Sequence, residues 1–502
     1  MSRVRQVGRF VGSIRTMGLL AVAVGIVFTG NPGCSLPRTT KQELSTVFER
    51  AEQQRAEQAS SYAMTPATRP AAKPAKTPTA TQEFHAPSTL REFIVLALEN
   101  NPDIKRAKNL VQAKAERVAQ VTALPDPMLM TRTFPEPVRL ADGDNVFVLG
   151  VSQMLPVAQK LDRAGRMALE ETRMAVAEWQ EIRLQVIADV KRTYFGLYVL
   201  DKSTGILREN QDLMKTLIDV ARGQVAAGKR SQEDLLRAQV EVSDLEAQII
   251  DLQQQRVVMA TMLNTLLNRP PQTPVATPEA FDVRQVDLKI DELFALGVKS
   301  NPELQRFSRQ IERNRHAVSL AKLAWWPDFT LGFEWMFMKP RPAFRPPRDP
   351  MTGQRPMVDT MSEEGMDTWA IMFGFNVPIW YEKIQAGIAE ATYELDASTD
   401  EYASAQNMMY FRIGDAMSRV RAQHDLAELF ENTIIPQAQQ TYEVSRAGYV
   451  SGTSDFQYVI DNWQKWLTVS IQYHRAVGEL ERSIADLEQA IGLSLSDVRG
   501  DQ

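Results

Sequence analysis

The sequence predicts a mainly α-helical protein with a small β part. One unit is written twice: a helix, a pair of strands and a long helical hairpin. Three observations carry that prediction. The stretches "ENNPDIKRAKNLVQAKAERVAQVTALPDPMLM" from Glu99 and "KSNPELQRFSRQIERNRHAVSLAKLAWWPDFTLGF" from Lys299 share one order of signals: Asn-Pro, an acid and an aliphatic, a polar helical run, Pro-Asp, then alternation. A stretch almost without proline follows each: none from Val157 to Arg269, and only Pro436 from Ile379 to Gln502. Between them lie short segments with apolar residues at period two.

The chain begins with Arg3, Arg5, Arg9 and Arg15, an apolar run from Met17 to Phe28, and "TGNPGCS". The run has the proportions of a secretory signal and is too short for a comfortable bilayer span. Cys34, the one cysteine of the chain, follows with Gly33 before and Ser35 after. The arrangement resembles a bacterial lipoprotein signal, with Asn31 and Pro32 where such signals carry an aliphatic and a small residue. Two readings stand: Cys34 is acylated and becomes the mature N-terminus, or it sits incidentally beside a non-lipidated cleavage site. Residues 1–34 are thus a lipoprotein-like signal. Residues 35–86, rich in Ala, Thr, Gln and Pro, read as a disordered tether.

The first repeat occupies 87–285 and the second 286–492, with 493–502 as a tail. Each opens on a helical pattern, Leu90 to Leu124 and Ile290 to Ala324, interrupted by Asn101-Pro102 and Asn301-Pro302, where proline stops or restarts a helix. Strand pairs follow, at about 128–154 and 328–378. In "DFTLGFEWMFM", Phe329, Leu331, Phe333, Trp335 and Phe337 share one face; in "TWAIMFGFNVP", Trp369, Ile371, Phe373, Phe375 and Val377 do. Phe147, Leu149 and Val151 form a less regular set, and "MLMTRTF" is ambiguous in phase, though Arg132 must avoid the apolar side. One continuous apolar face, at the length of a tilted bilayer strand, predicts membrane hairpins. Five of the eight tryptophans fall between residues 325 and 380. Trp325, Trp326, Trp380 and Tyr381 mark one end of the second hairpin and Trp335 and Trp369 the other, the two levels expected of interfacial aromatics. Four strands cannot close a barrel, and lipid tolerates no open edge, so the chain must pool strands with copies of itself; the residues alone set no copy number.

After each hairpin comes a helix too long for a compact domain: residues 157 to 222 alone would span about 100 Å. Ile182, Val186, Val190, Tyr194 and Leu197 step by four and three as a packing seam, while charged residues on the other faces suit the wall of an aqueous tube. Gly228 in "VAAGKRSQEDLL" and Gly452 in "YVSGTSDFQYVID" break the helices at corresponding places and make hairpin tips.

Composition excludes several classes. A net charge of -5 without a basic excess argues against nucleic-acid binding. Phosphate-cradling glycine loops are absent. His85, His316, His424 and His474 lie far apart and unaccompanied by cysteine, and no nucleophile–base signature occurs. No catalytic residue, metal site or cofactor is assigned, and the chain is not read as an enzyme.

The doubled helices, two strand pairs and the "GKRSQEDLL" and "GTSDFQYVID" tips together resemble the TolC family of outer-membrane efflux channels, from about residue 88 to 492. The resemblance implies a homotrimer whose twelve-stranded membrane β-barrel continues into a periplasmic α-helical barrel. It implies an outer-membrane exit duct, lipid-anchored with palmitate on Cys34, fed by an inner-membrane pump through a periplasmic adaptor and passing small molecules or metal ions passively. By the same resemblance, the tips at Gly228 and Lys229 and at Gly452, Thr453 and Ser454 meet the adaptor. Asp461 matches the acidic residue that lines the periplasmic constriction. Tyr458 stands where many members have a second acid, and Asp234 holds the matching place in the first half. "VSQMLPVAQKL" is similar to a stretch of heavy-metal-exporting members, with Ala158-Gln159 where those often have Pro-Gly. Met351, Met357, Met361 and Met366 in the loop from Lys339 suit Cu(I) or are plain loop residues; the plainer reading is adopted. The alternatives are the exit channel of a type I protein-secretion system and, in a different class, a periplasmic adaptor or an elongated lipid-anchored scaffold.

Overall fold

A computed structural model of the chain describes residues 36–61, 89–140, 143–226, 231–277, 289–340, 348, 350–354 and 365–495. The signal with Cys34, the tether from 62 to 86, the tip residues Gly228 and Lys229, Met357, Met361 and residues 496–502 lie outside them. The elements run α1 (Leu36–Ser61), α2 (Leu90–Asn100), α3 (Pro102–Thr122), β1 (Met128–Leu140), β2 (Gly143–Leu155), α4 (Ala158–Ala226) and α5 (Gln232–Leu266). The second half repeats the order: α6 (Ile290–Ser300), α7 (Pro302–Lys322), a 3-10 turn (Leu323–Trp325), β3 (Phe329–Lys339), β4 (Thr368–Phe375), α8 (Tyr381–Leu429), a π turn (Phe430–Ile434), α9 (Ile435–Ser451) and α10 (Phe456–Ile491). No helix among the described residues is long and apolar enough to cross a membrane.

The repeated Asn-Pro has one structural cause in both halves. Asn101 is buried, and its Oδ1 accepts from the backbone N–H of Asp103 (2.9 Å) and Ile104 (3.3 Å), capping α3. Its amide donates to the carbonyl of Leu266, the last residue of α5, at 3.0 Å. Asn301 accepts from the Leu304 N–H at 3.2 Å and donates to the carbonyl of Ala490, at the end of α10, at 2.8 Å. One side chain thus starts a helix and closes the end of another, and the proline after it has no N–H to leave unsatisfied.

The chain forms two compact units. One gathers residues 113–172 and 311–397 with the opening turns of α1, and holds the antiparallel sheet β1-β2-β3-β4, two hairpins laid side by side. The other gathers residues 46–112, 173–310 and 398–502 and is helical. Its core joins the two long hairpins: Leu207, Met214 and Leu217 of α4, Leu245 of α5, Tyr442 and Tyr449 of α9, and Phe456, Val459 and Trp463 of α10. Trp463 Nε1 donates to the buried Asn210 Oδ1 at 2.8 Å. The expected α4 seam is present, with Val186, Val190, Tyr194 and Leu197 buried. A second cluster packs α6 and α7 onto α8 and the end of α10 around Leu293, Ile413 and Leu487. At the α4–α10 crossing, a Cβ on Gly478 would lie 2.2 Å from Val199 Cγ2, so only glycine permits that approach. Lys191 and Glu488 pair nearby, both buried, and Glu488 Oε1 also accepts from the Leu495 N–H at 3.1 Å.

Two expectations are corrected. Leu36–Ser61, placed in the disordered tether, is the helix α1. After Pro37, which sits in the first turn of α1, the tether's next proline is Pro66, and the segment between carries Leu44, Phe48 and Ala51 on one helical face. Leu44 and Ala51 are buried, and Phe48 meets the Trp179 ring edge-on at 5.3 Å. The long helix after β4 is also not one uninterrupted α-helix: the π turn precedes Pro436, which falls in the first turn of α9, where its missing N–H and ring are accommodated.

Candidate functional site

The strand register resolves the two faces of the sheet. Leu149 pairs with Trp335 and Trp335 with Trp369; Val151 pairs with Phe333 and Phe333 with Ile371; Phe329 pairs with Phe375. Phe147, Leu149, Val151, the five odd-numbered residues from Phe329 to Phe337, and Trp369, Ile371, Phe373 and Phe375 therefore share one face. In β1 the ambiguity is removed: Leu129 faces Val151 and Arg132 faces Val148, so Arg132 lies on the opposite side. The apolar face is open, with Trp369, Ile371 and Phe373 each about two-thirds exposed. The other face is the closed one, with Val148, Gly150, Gly332 and Glu334 buried, as in a sheet that curls toward it. Among the described residues, β1 and β4 end the sheet with one edge each unpaired.

The tryptophans fall where the register puts them. Trp335 and Trp369 are cross-strand partners, and Phe333 stacks on Trp369 at 6.3 Å. Trp325 and Tyr381 pack at 5.6 Å beyond the other end of the strands, beside the exposed Trp326 and Trp380. Phe329 to Trp335 covers six residues, about 20 Å of strand.

The second hairpin tip is built from backbone. Gly452 is left-handed, at φ 87°, and closes α9. The Thr453 and Ser454 N–H groups both reach the Gly448 carbonyl, at 2.8 and 3.1 Å. Just inside the tip, Asp461 is exposed and accepts from Gln457 Nε2 at 2.7 Å. Gln457 also accepts from Arg237 of α5, and Arg237 pairs with Glu233 at 2.8 Å. Asp234 accepts from the Tyr449 hydroxyl at 3.4 Å, while Tyr458 is exposed. The structure thus brings Asp234 and Asp461 to one end of the same four-helix packing, through Tyr449 on one side and Arg237–Gln457 on the other. Sequence reasoning missed Arg237, Tyr449 and Gln457. The four-residue step from Gln457 to Asp461 was legible on a helix; the α5 partner needed the fold. Among the described residues no group of three or more His, Cys, Asp or Glu side chains could hold a metal ion.

Known proteins supply the rest. The outer membrane efflux protein family matches residues 93–269 and 297–493, one range in each repeat. The chain belongs to the outer membrane efflux protein family. It is an outer-membrane protein with a periplasmic extension that serves as the exit duct of an efflux system. The cobalt-zinc-cadmium resistance protein CzcC of Cupriavidus metallidurans is 20% identical over 420 residues, covering 82% of this chain and 91% of CzcC. CusC superposes with a TM-score of 0.67 at 14% identity, over 85% of this chain and 99% of CusC. The CmeC outer membrane channel of Campylobacter jejuni superposes with a TM-score of 0.64 at 17% identity, over 84% of this chain and 94% of that one. The adaptor and scaffold readings give way to the family.

Proposed function

We propose that three copies of the chain close a twelve-stranded barrel in the outer membrane and continue it as a periplasmic tube of helices, a passive duct that receives cargo from a periplasmic adaptor and an inner-membrane pump. The observation that carries the reading is the four-stranded sheet: one face apolar and exposed, and two edges without partners among the described residues. Neither feature is stable in lipid unless β1 of one copy pairs with β4 of the next. The helical unit has matching surplus. Leu236, Val240, Ile250 and Val257 form an exposed stripe on α5, and Phe411 and Val444 are exposed on α8 and α9, surfaces that a neighbouring copy would cover.

In this assembly Trp325, Trp326, Trp380 and Tyr381 sit at one membrane interface and Trp335 and Trp369 near the other. The tips, Gly228 and Lys229 with Gly452, Thr453 and Ser454, meet the adaptor, and Cys34 carries the lipid. Asp461, repeated by symmetry near Asp234 and Tyr458, makes an acidic constriction that favours cations. The test is the protein mass of the detergent-solubilised particle by light scattering. Three protomer masses are expected, and a monomer that needs no detergent would refute the pooled barrel. Reversal potentials across a salt gradient test the constriction: Asp461→Asn should lower cation preference, and a pore that is anion-selective from the start removes Asp461 from that role.

A further inference from the structure

The side of the sheet opposite the aromatics is not the ordinary polar lining of a membrane barrel. The register places Met128 and Met130 of β1, Met154 of β2, Met336 and Met338 of β3, and Met372 of β4 on it, together with Arg132 and Glu334. Every methionine of the four strands is there, and the aromatic face has none. Methionine used merely as a flexible apolar filler would be equally at home against lipid, so the segregation asks for a property that leucine and phenylalanine lack. That property is the thioether sulfur, a soft donor.

The geometry groups these side chains: Met338 is buried, and the other five are at least partly exposed. Met128, Ser152, Gly332 and Met372 form one row across all four strands. The two small residues leave room between the methionines, and the Met372 methyl carbon lies 3.0 Å from where a Gly332 Cβ would stand, so this side chain leans over the gap. Met154 is diagonal to Met128, and Met130 is its next neighbour on the same face of β1. Met128, Met154 and Met372 are 62, 45 and 37% exposed. From the Met154 row to Met338 is eight residues of β3, about 26 Å, the height of a barrel's apolar band. The donors thus run the length of the strands instead of forming one closed site.

Resting on the duct reading, we infer that this face is a thioether ladder for soft monovalent d10 cations, Cu(I) or Ag(I), held weakly at successive positions on their way out. Hard and borderline divalent ions prefer oxygen and nitrogen donors, and the described residues offer them no cluster. Weak binding at several positions suits passage, because a single tight site would hold the ion back.

The test is single-channel recording of the full-length protein in planar bilayers bathed in potassium nitrate, with silver nitrate added at micromolar concentration. Brief, resolved interruptions of the potassium current are expected with Ag(I) and not with zinc nitrate at the same concentration. In a variant carrying Met128→Leu, Met130→Leu, Met154→Leu, Met336→Leu, Met338→Leu and Met372→Leu together the interruptions should disappear, although volume and apolarity are kept. Equal interruption by Ag(I) and Zn(II), no interruption by Ag(I), or interruption that survives the leucines would each overturn the inference. The Ag(I)–Zn(II) comparison on the unsubstituted chain stands even if the variant fails to insert. Absence of any potassium current would instead count against the duct reading.

Discussion

Replacing Asn301 by aspartate separates the two tasks of this side chain. The aspartate oxygen still caps α7 through the Leu304 N–H, but it has no donor for the Ala490 carbonyl, now 2.8 Å from the Asn301 amide. Leaving that buried carbonyl unpaired costs about 1–3 kcal/mol, and a negative charge at the C-terminal end of α10 is unfavourable by up to about 1 kcal/mol. Asn301→Ala loses the cap as well, about another 1 kcal/mol. The expected order is therefore wild type above Asp at neutral pH, with Ala losing about 2–4 kcal/mol in all. Thermal melting of the solubilised protein, followed by far-ultraviolet circular dichroism, should move down by several degrees for each variant. Acidification should partly restore the Asp variant relative to wild type, because a protonated carboxyl can donate to the carbonyl. If Asn301→Asp melts with wild type at neutral pH, the carbonyl latch contributes nothing and this explanation of the repeated asparagine fails.

Three further outcomes are expected. Lys191→Met strands the buried Glu488 carboxylate and should cost about 3–5 kcal/mol, while Lys191→Met with Glu488→Leu recovers much of it in the same melts. His474 is half-buried, and that burial, with Lys202 close by, holds its pKa at about 4; its Nδ1 lies 3.2 Å from the Tyr198 hydroxyl. Its folded pKa lies below the ordinary 6.5, so the unfolded chain binds the extra proton first. Stability is then unaffected by this group above about pH 7 and falls between about 6.5 and 4 by at most about 1.4 kcal/mol per pH unit. His474→Gln should remove that part of the slope in melts recorded across this range. Gly478→Ala places a methyl 2.2 Å from Val199 Cγ2 and should cost about 1–3 kcal/mol, with partial recovery when Val199→Ala is added.

Much of the architecture was legible because its signals are periodic. The strands around Phe333 and Ile371 announce their faces at period two, and the seam from Val186 to Leu197 announces its own at helical spacing. Asn101 and Asn301 announced a helix break; the carbonyls they close, Leu266 and Ala490, are 165 and 189 residues away in sequence and needed the fold. Residues 36–61 were misjudged because one average composition covered two segments, and Leu44, Phe48 and Ala51 were diluted by the prolines beyond Pro66. The π turn left no sequence mark apart from Pro436. The methionine face stayed hidden because the phase of "MLMTRTF" cannot be set without the pairing of Arg132 with Val148.

The two asparagine latches have a consequence for how such a chain arises. Each ties the opening of a half to the finish of that same half: Asn101 to Leu266, Asn301 to Ala490. A half is therefore a loop whose ends already meet, so copying its gene in tandem would leave no loose terminus to be accommodated. The added joint falls between Arg269 and Lys289, where one latched end hands over to the next. By this logic a ring of six separate halves would enclose the same lumen as the proposed ring of three full chains, and the fused chain differs in letting its two halves drift apart in sequence. That freedom is visible where one tip reads Lys-Arg-Ser-Gln and the other Thr-Ser-Asp-Phe.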